Sequence, residues 1–219
     1  MMKEIPTTNS HRKKLNEFNL QHIPDDSIAS FRFEPGETMS KEDGVINWIF
    51  LVFKGRAKVC RTASNGNNHI LCYYISDGII GEIELMTHQN IATSTSIAIS
   101  DFDCIAVKYG TCINELKSNV KFLNKLGTFL ANKVIDNANN LVSISHNSGE
   151  QRLCSYIIKN SYKNVFRDVL TDISASVGIS YRHMFRILSY LCEREMLEKK
   201  EYGYLIVDYD SLNNLASLT

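Results

Sequence analysis

The residues best equipped for chemistry lie near the C-terminal end: Tyr181, Arg182, His183 and Arg186, with no acid following until Glu193. Arginine suits the reading of a nucleic acid, because its planar fork can donate two bonds to guanine O6 and N7. That use needs a helix presenting one face, and the neighbouring residues supply the scaffold for it. Thr171 can cap a first helix. Ser174 is small where two helices would cross, Gly178 can take the positive φ of a tight turn, and Ser180 can cap the second helix. Ile173, Val177, Ile179, Met184 and Ile187 stand where both helices need apolar bracing. These offsets describe a helix-turn-helix, whose second helix presents its N-terminal residues to base edges in the major groove. A solvated helix face is the bland alternative. Segment 199–206 then reads as a hairpin wing, with Lys199 and Lys200 placed to meet phosphate.

The charge balance tempers that reading. The 219 residues carry 24 Lys plus Arg against 24 Asp plus Glu. Segment 149–219 holds nine of each by count, so non-specific affinity for DNA should be modest and salt-dependent. Two copies acting together would offset this.

The elements that must carry these residues follow from pattern. From Phe31 to Val107, short runs rich in Ile, Val, Phe and Tyr alternate with turn signals such as Asn65-Gly66, which predicts a closed β-roll or jelly roll. After Gly110 the apolar spacing becomes helical up to about Ile144. Leu123, Leu126, Leu130, Lys133, Asn137, Asn140 and Ile144 fall at coiled-coil spacing, and a helix of this length has more apolar face than one domain needs. Dimerisation is the expected cover; a helix packed wholly on its own chain is the alternative. His146 to Gly149 reads as a hinge. The expected organisation is therefore α+β: a sensor roll at 1–111, a dimerisation helix at 112–145, a hinge at 146–149 and a winged helix-turn-helix at 150–219.

Other chemistries find little support. Cys60, Cys72, Cys104, Cys112, Cys154 and Cys192 lack ligand spacing, so reduced and mostly buried thiols are expected. No metal or cofactor is expected, and no enzyme on a cupin-like roll, since the six histidines form no ligand set. The longest aliphatic-aromatic stretch, Trp48 to Phe53, is too short to cross a bilayer, and no secretory leader is read at the start. A cytoplasmic protein is expected.

The order of these parts resembles the cyclic-AMP receptor/fumarate-nitrate-reductase (Crp/Fnr) regulators over nearly the whole chain. Gly81 to Leu85, Gly178 to His183 and Gly203 to Ile206 look especially like the YeiL-type regulators. The resemblance implies a cyclic-nucleotide-binding-like roll and control of transcription. As partners it implies double-stranded DNA, a second copy of the chain, RNA polymerase and a small-molecule effector of unknown identity. Members that bind cyclic nucleotide use a Gly-Glu pair, matched by Gly81 and Glu82, and an Arg followed by Ser or Thr on the phosphate. Those last places fall on Ala92 and Thr93. With no cation there and Glu84 nearby, cyclic AMP is not the expected ligand. The family's ligand-facing helix positions fall on Lys133, Asn137 and Ala138. Lys133 is expected to approach Glu82 and close the cleft with an internal ion pair; both side chains reaching solvent is the alternative. Haem ligation by His69, His88 or Cys72 is not expected. Two readings stay open: a regulator controlled by a small molecule other than cyclic AMP, and a constitutive DNA-binding protein whose roll is a dimerisation or partner platform.

Overall fold

The computed structural model describes residues 2–62, 68–161, 163–168 and 170–217, leaving out the side chains of 62, 68–74, 140, 144 and 175. The chain forms two compact units, Met1–Ile135 and Asp136–Thr219.

The first unit contains β1 (Lys3–Ile5), α1 (Asn9–Glu17), β2 (Ile28–Phe33), β3 (Thr38–Ser40), β4 (Trp48–Lys54), β5 (Ala57–Thr62), β6 (Asn68–Ile75) and β7 (Ile79–Ile80). Next come α2 (Glu82–Thr87), β8 (Thr95–Ala98), β9 (Phe102–Lys108), α3 (Tyr109–Ser118) and the start of α4 (Val120–His146). Among the described residues the strands form two antiparallel sheets, ordered β1-β2-β9-β4-β7 and β3-β8-β5-β6.

Why two layers form is visible in β4 and β9, whose alternate residues enter different cores. Phe50, Val52, Phe102, Cys104 and Ala106 pack with Phe31 and Phe33 in one core. Ile49, Leu51, Ile105 and Val107 face the other way, into a core completed by Leu15, Phe18, Leu116, Phe122 and Leu126 from the helices. A sheet covered on both faces needs near-continuous apolar strands, and Trp48 to Phe53 in β4 and Cys104 to Val107 in β9 are such runs. The expected Asn65-Gly66 turn lies outside the described residues; β5 and β6 on either side pair antiparallel.

Two features differ from expectation. The sequence reading missed β1 and α1, although Thr8 and His11 form a capping box at the start of α1. The expected single helix from Cys112 to Ile144 is broken at Asn119, which has ψ 93°. Its Oδ1 accepts from the Phe122 amide at 3.1 Å and its side-chain amide donates to the Asn19 carbonyl. Asparagine thus caps a new helix rather than continuing the old one.

The second unit holds the rest of α4, then α5 (Gly149–Asn160), β10 (Val165–Phe166), α6 (Leu170–Val177), α7 (Tyr181–Glu193), β11 (Leu197–Lys200), β12 (Gly203–Ile206) and α8 (Tyr209–Ser217). Its three-stranded sheet runs β10-β12-β11. The core comprises Leu153, Ile157, Ile173, Val177, Met184, Ile187, Leu191, Tyr204, Ile206 and Leu212 among others. No helix among the described residues is long and apolar enough to cross a membrane.

Candidate functional site

The turn between α6 and α7 is built as the spacing required. Gly178 has φ 68°, and the Ile179 amide donates to the Ser174 carbonyl at 3.0 Å. Ser180 caps α7, its hydroxyl accepting from the His183 amide at 3.2 Å. Ile173 and Met184 are fully buried, with Val177 and Ile187 nearly so. Thr171 is a correction: it is the second residue of α6, not its cap, and its carbonyl accepts from the Ser174 hydroxyl.

The sequence reading missed the residue that clamps this turn. Arg152 of α5 donates from Nε to the Val177 carbonyl at 2.7 Å. One terminal nitrogen bonds the Gly178 carbonyl at 3.2 Å and the other the Asn147 carbonyl at 2.6 Å. Five donors in a fixed fork let one side chain satisfy three carbonyls. Nothing in local spacing marks this, because the partners lie 25 and 26 residues away.

Along α7 the expected reading residues divide. Arg182 and Arg186 are exposed and one turn apart. Tyr181, 47% exposed, lies edge-on to Phe185 at 4.8 Å. His183 is half-buried against the start of α5: a Cβ at Gly149 would stand 3.3 Å from its ring and 2.9 Å from Ile179 Cγ2. Gly149 therefore serves close helix packing as the first residue of α5, and Ser148 caps α5. In the wing Lys199 is exposed, while Lys200 pairs with Glu198 at 2.5 Å.

The first unit carries a second arrangement at α2. Gly81 precedes the helix with φ 98°, and a Cβ there would meet Ile49 Cδ1 at 2.9 Å. Glu82 and Glu84 are buried, at 4% and 5% exposure. The Lys133 ammonium donates to the Glu82 carboxylate, so the expected ion pair is present. One oxygen of Glu84 accepts from both the amide and the hydroxyl of Thr93, each at 2.7 Å. Ala92 is buried beside them. The cavity next to Glu84, lined also by Ser40, Trp48, Gly81, Ser94 and Ser96, has a volume of about 20 Å³. That is room for one water molecule. Asn137 lies in the second unit and is exposed.

The cysteines agree with a structural role. Cys60, Cys104, Cys112 and Cys154 are buried and, with Cys192, unbridged. Burial pushes the Cys104 thiol far up and that of Cys154 to about 12, away from reactive thiolate. The side chains of His69 and Cys72 lie outside the described residues, and His88 Nδ1 is 2.6 Å from Lys117 Nζ. Among the described residues no group of His, Cys, Asp and Glu could hold a metal ion.

A cyclic nucleotide-binding domain family model matches residues 30–119. The chain is 28% identical over 189 residues to the regulatory protein YeiL of Escherichia coli O157:H7, covering 85% of this chain and 84% of that protein. The chain is thus similar to YeiL over most of its length. Electron transport regulator A of Shewanella oneidensis is 21% identical over 92% of this chain and 84% of its own length. The Crp/Fnr architecture recurs in a crp/fnr-family structure from Eubacterium rectale, with TM-score 0.75, 15% identity and coverage of 96% and 95%. A CRP-family transcriptional regulator from Thermus thermophilus superposes with TM-score 0.72 at 13% identity, covering 86% of this chain and 97% of that one. These relatives and structural neighbours are all named as regulators.

Proposed function

We propose that the chain is a sequence-specific DNA-binding transcription regulator that acts as a homodimer. One observation carries the reading: Arg182 and Arg186 are exposed on the first half of α7, and the opposite face, Met184, Ile187, Leu188 and Leu191, is buried in the unit's core. A helix anchored on one side and cationic on the other matches the reading helix of a helix-turn-helix. Selection of bound sequences from random duplex DNA at several salt concentrations tests it. A two-fold-related site should be enriched; no enrichment of paired half-sites refutes the reading.

Dimerisation draws on a different seam from the one expected. Leu126 is buried in the first unit's own core, with Leu123 and Leu130 packed against it. Gly127, Ala131, Val134, Ala138, Leu141 and Ser145 instead follow at alternating spacings of four and three, and all are exposed. Small residues first and larger aliphatic ones later make a seam that a second copy can cover. The roll's fused core claims the earlier leucines, which sequence spacing could not foresee.

Within this reading the ligand-free alternative gains specific support. Lys133 is spent on Glu82, Thr93 on Glu84, and the adjoining cavity of about 20 Å³ is far below the several hundred that small-molecule sites occupy. The roll then serves as a platform for dimerisation or partners. Calorimetric titration of the full chain with cyclic AMP should give no heat of binding, and saturable binding would overturn the reading of a cleft closed by Lys133–Glu82 and Thr93–Glu84.

A further inference from the structure

We infer that the first unit carries a ligand site outside the closed cleft: an open groove between the chain entering β4 and the start of α3, which takes a small aromatic carboxylate. The site goes beyond the DNA-binding reading and does not depend on it. The groove has a volume of about 490 Å³, within the several hundred that small-molecule sites occupy. The cavity beside Glu84, at about 20 Å³, is far smaller.

The lining suits a flat apolar body. Ile46 and Tyr109 are buried, at 8% and 5% exposure, and Trp48 is half-buried. Tyr109 has only its ring to offer, because its hydroxyl is spent on the carbonyls of Gln89 at 2.6 Å and Glu84 at 3.2 Å. A half-buried indole favours another ring laid against it. Backbone bonds fix the surrounding segments: the Tyr109 amide donates to the Asn47 carbonyl and the Ile46 amide to the Asn90 carbonyl, each at 2.9 Å. The groove is therefore formed before a ligand arrives, which lowers the ordering cost of binding.

Charge decides the ligand's class. Lys108 is the only charged residue in the lining. Its ammonium donates to the Asp26 carbonyl at 2.8 Å and lies 6.0 Å from the centre of the Trp48 ring. The Asp26 carboxylate instead accepts from the Ser27 hydroxyl at 3.3 Å. Among the described residues no carboxylate is paired with Lys108, so two of its three donors are left for a ligand. The first turn of α3 holds no acid, and its amide end adds potential of the same sign. One cation balances one negative charge, which suits a carboxylate better than a doubly charged phosphate ester. The exposed side chains of Asn47 and Asn90, bonded to nothing among the described residues, supply further donors and acceptors.

Trp48 is the chain's only tryptophan, so its fluorescence reports the groove. The full chain is titrated with phenylacetate, followed by that emission and, separately, by calorimetry. A saturable change in both is expected; silence in both up to millimolar ligand overturns the site. Phenylacetamide keeps the ring and loses the charge, so it should bind at least about 10-fold more weakly. Equal binding of the two overturns the assignment to an anion. Trp48 also borders the small cavity beside Glu84, so two variants place the ligand. Lys108→Met should lose about 10-fold or more in affinity for phenylacetate. Gly110→Leu should bind none: a Cβ at Gly110 meets nothing within 4 Å, so the helix accepts the side chain, which then fills open space at the groove. If either variant binds phenylacetate as the unaltered chain does, the ligand lies elsewhere and the proposal falls. The titration needs no DNA, so failure of the DNA-binding reading leaves this result standing.

Discussion

Thr93 spends both its amide and its hydroxyl on a single oxygen of Glu84, at 2.7 Å each, inside the first unit. The donors that would face a ligand's anion already hold one supplied by the chain itself. Replacing that carboxylate leaves the amide without an acceptor. Glu84→Ala should therefore destabilise by roughly 1–3 kcal/mol, read as a lower midpoint in urea unfolding. Glu84→Gln, which keeps an acceptor oxygen, should cost less than half as much. Equal losses in the two variants would mean that packing, not the bonds to Thr93, is what Glu84 supplies.

Lys133 and Glu82 form the companion contact, with side-chain exposures of 24% and 5%. Removing the ammonium strands a buried carboxylate. A fully buried pair loses about 3–5 kcal/mol this way; partial exposure of Lys133 lowers the expectation to roughly 1–3 kcal/mol. The double variant Glu82→Gln with Lys133→Met should recover most of that loss in the same unfolding assay. A double variant no better than Lys133→Met would show that the two groups do not depend on each other.

For α7, Arg182→Ala and Arg186→Ala should each relax preference at particular base pairs by roughly 1–3 kcal/mol, measured by repeating the selection with each variant. His183→Ala should behave differently, because its ring packs against the start of α5. Its loss should appear as a lower thermal midpoint with the selected sequence unchanged.

A charge on the exposed stripe of α4 should oppose self-association. Leu141, 66% exposed in the single chain, and Val134, 67%, are the largest side chains in that seam. Leu141→Glu should give a monomer in sedimentation velocity where the unaltered chain sediments as a dimer. Persistence of the dimer would move the interface elsewhere.

His11 makes stability depend on pH. It is 4% exposed, its Nδ1 accepts from the Thr8 amide at 3.1 Å, and Nε2 has no hydrogen-bond partner among the described residues. Burial holds its pKa below the ordinary 6.5; the nearby Asp103 charge opposes that and Arg32 adds to it. Protonation is thus harder in the folded chain than in the unfolded one. The stability this contributes is complete above about pH 6.5 and is lost as pH falls through the lower, folded value. His11→Gln keeps the capping geometry and should flatten that part of a urea-midpoint profile between about pH 5 and 7.5. A profile of unchanged steepness would assign the dependence to another group.

Much was legible in the residues alone where the constraint is local. The turn at Gly178 needs a positive φ, the cap at Ser180 reaches three residues along, and the apolar bracing of α6 and α7 repeats at fixed offsets, so these contacts follow from spacing. The short apolar runs of β4 and β9, bounded by turn residues, likewise report a layered roll, because strand geometry sends neighbouring residues to opposite faces and both faces are covered. Tertiary structure decided what depends on distant partners. The three carbonyls clamped by Arg152 and the bonding of Glu84 to Thr93 each join segments whose proximity no periodicity encodes. The same holds for α4, where helical spacing offered Leu123, Leu126 and Leu130 as a dimer seam. Burial against the roll claims those leucines first, because apolar area is covered by whichever surface the fold brings closest.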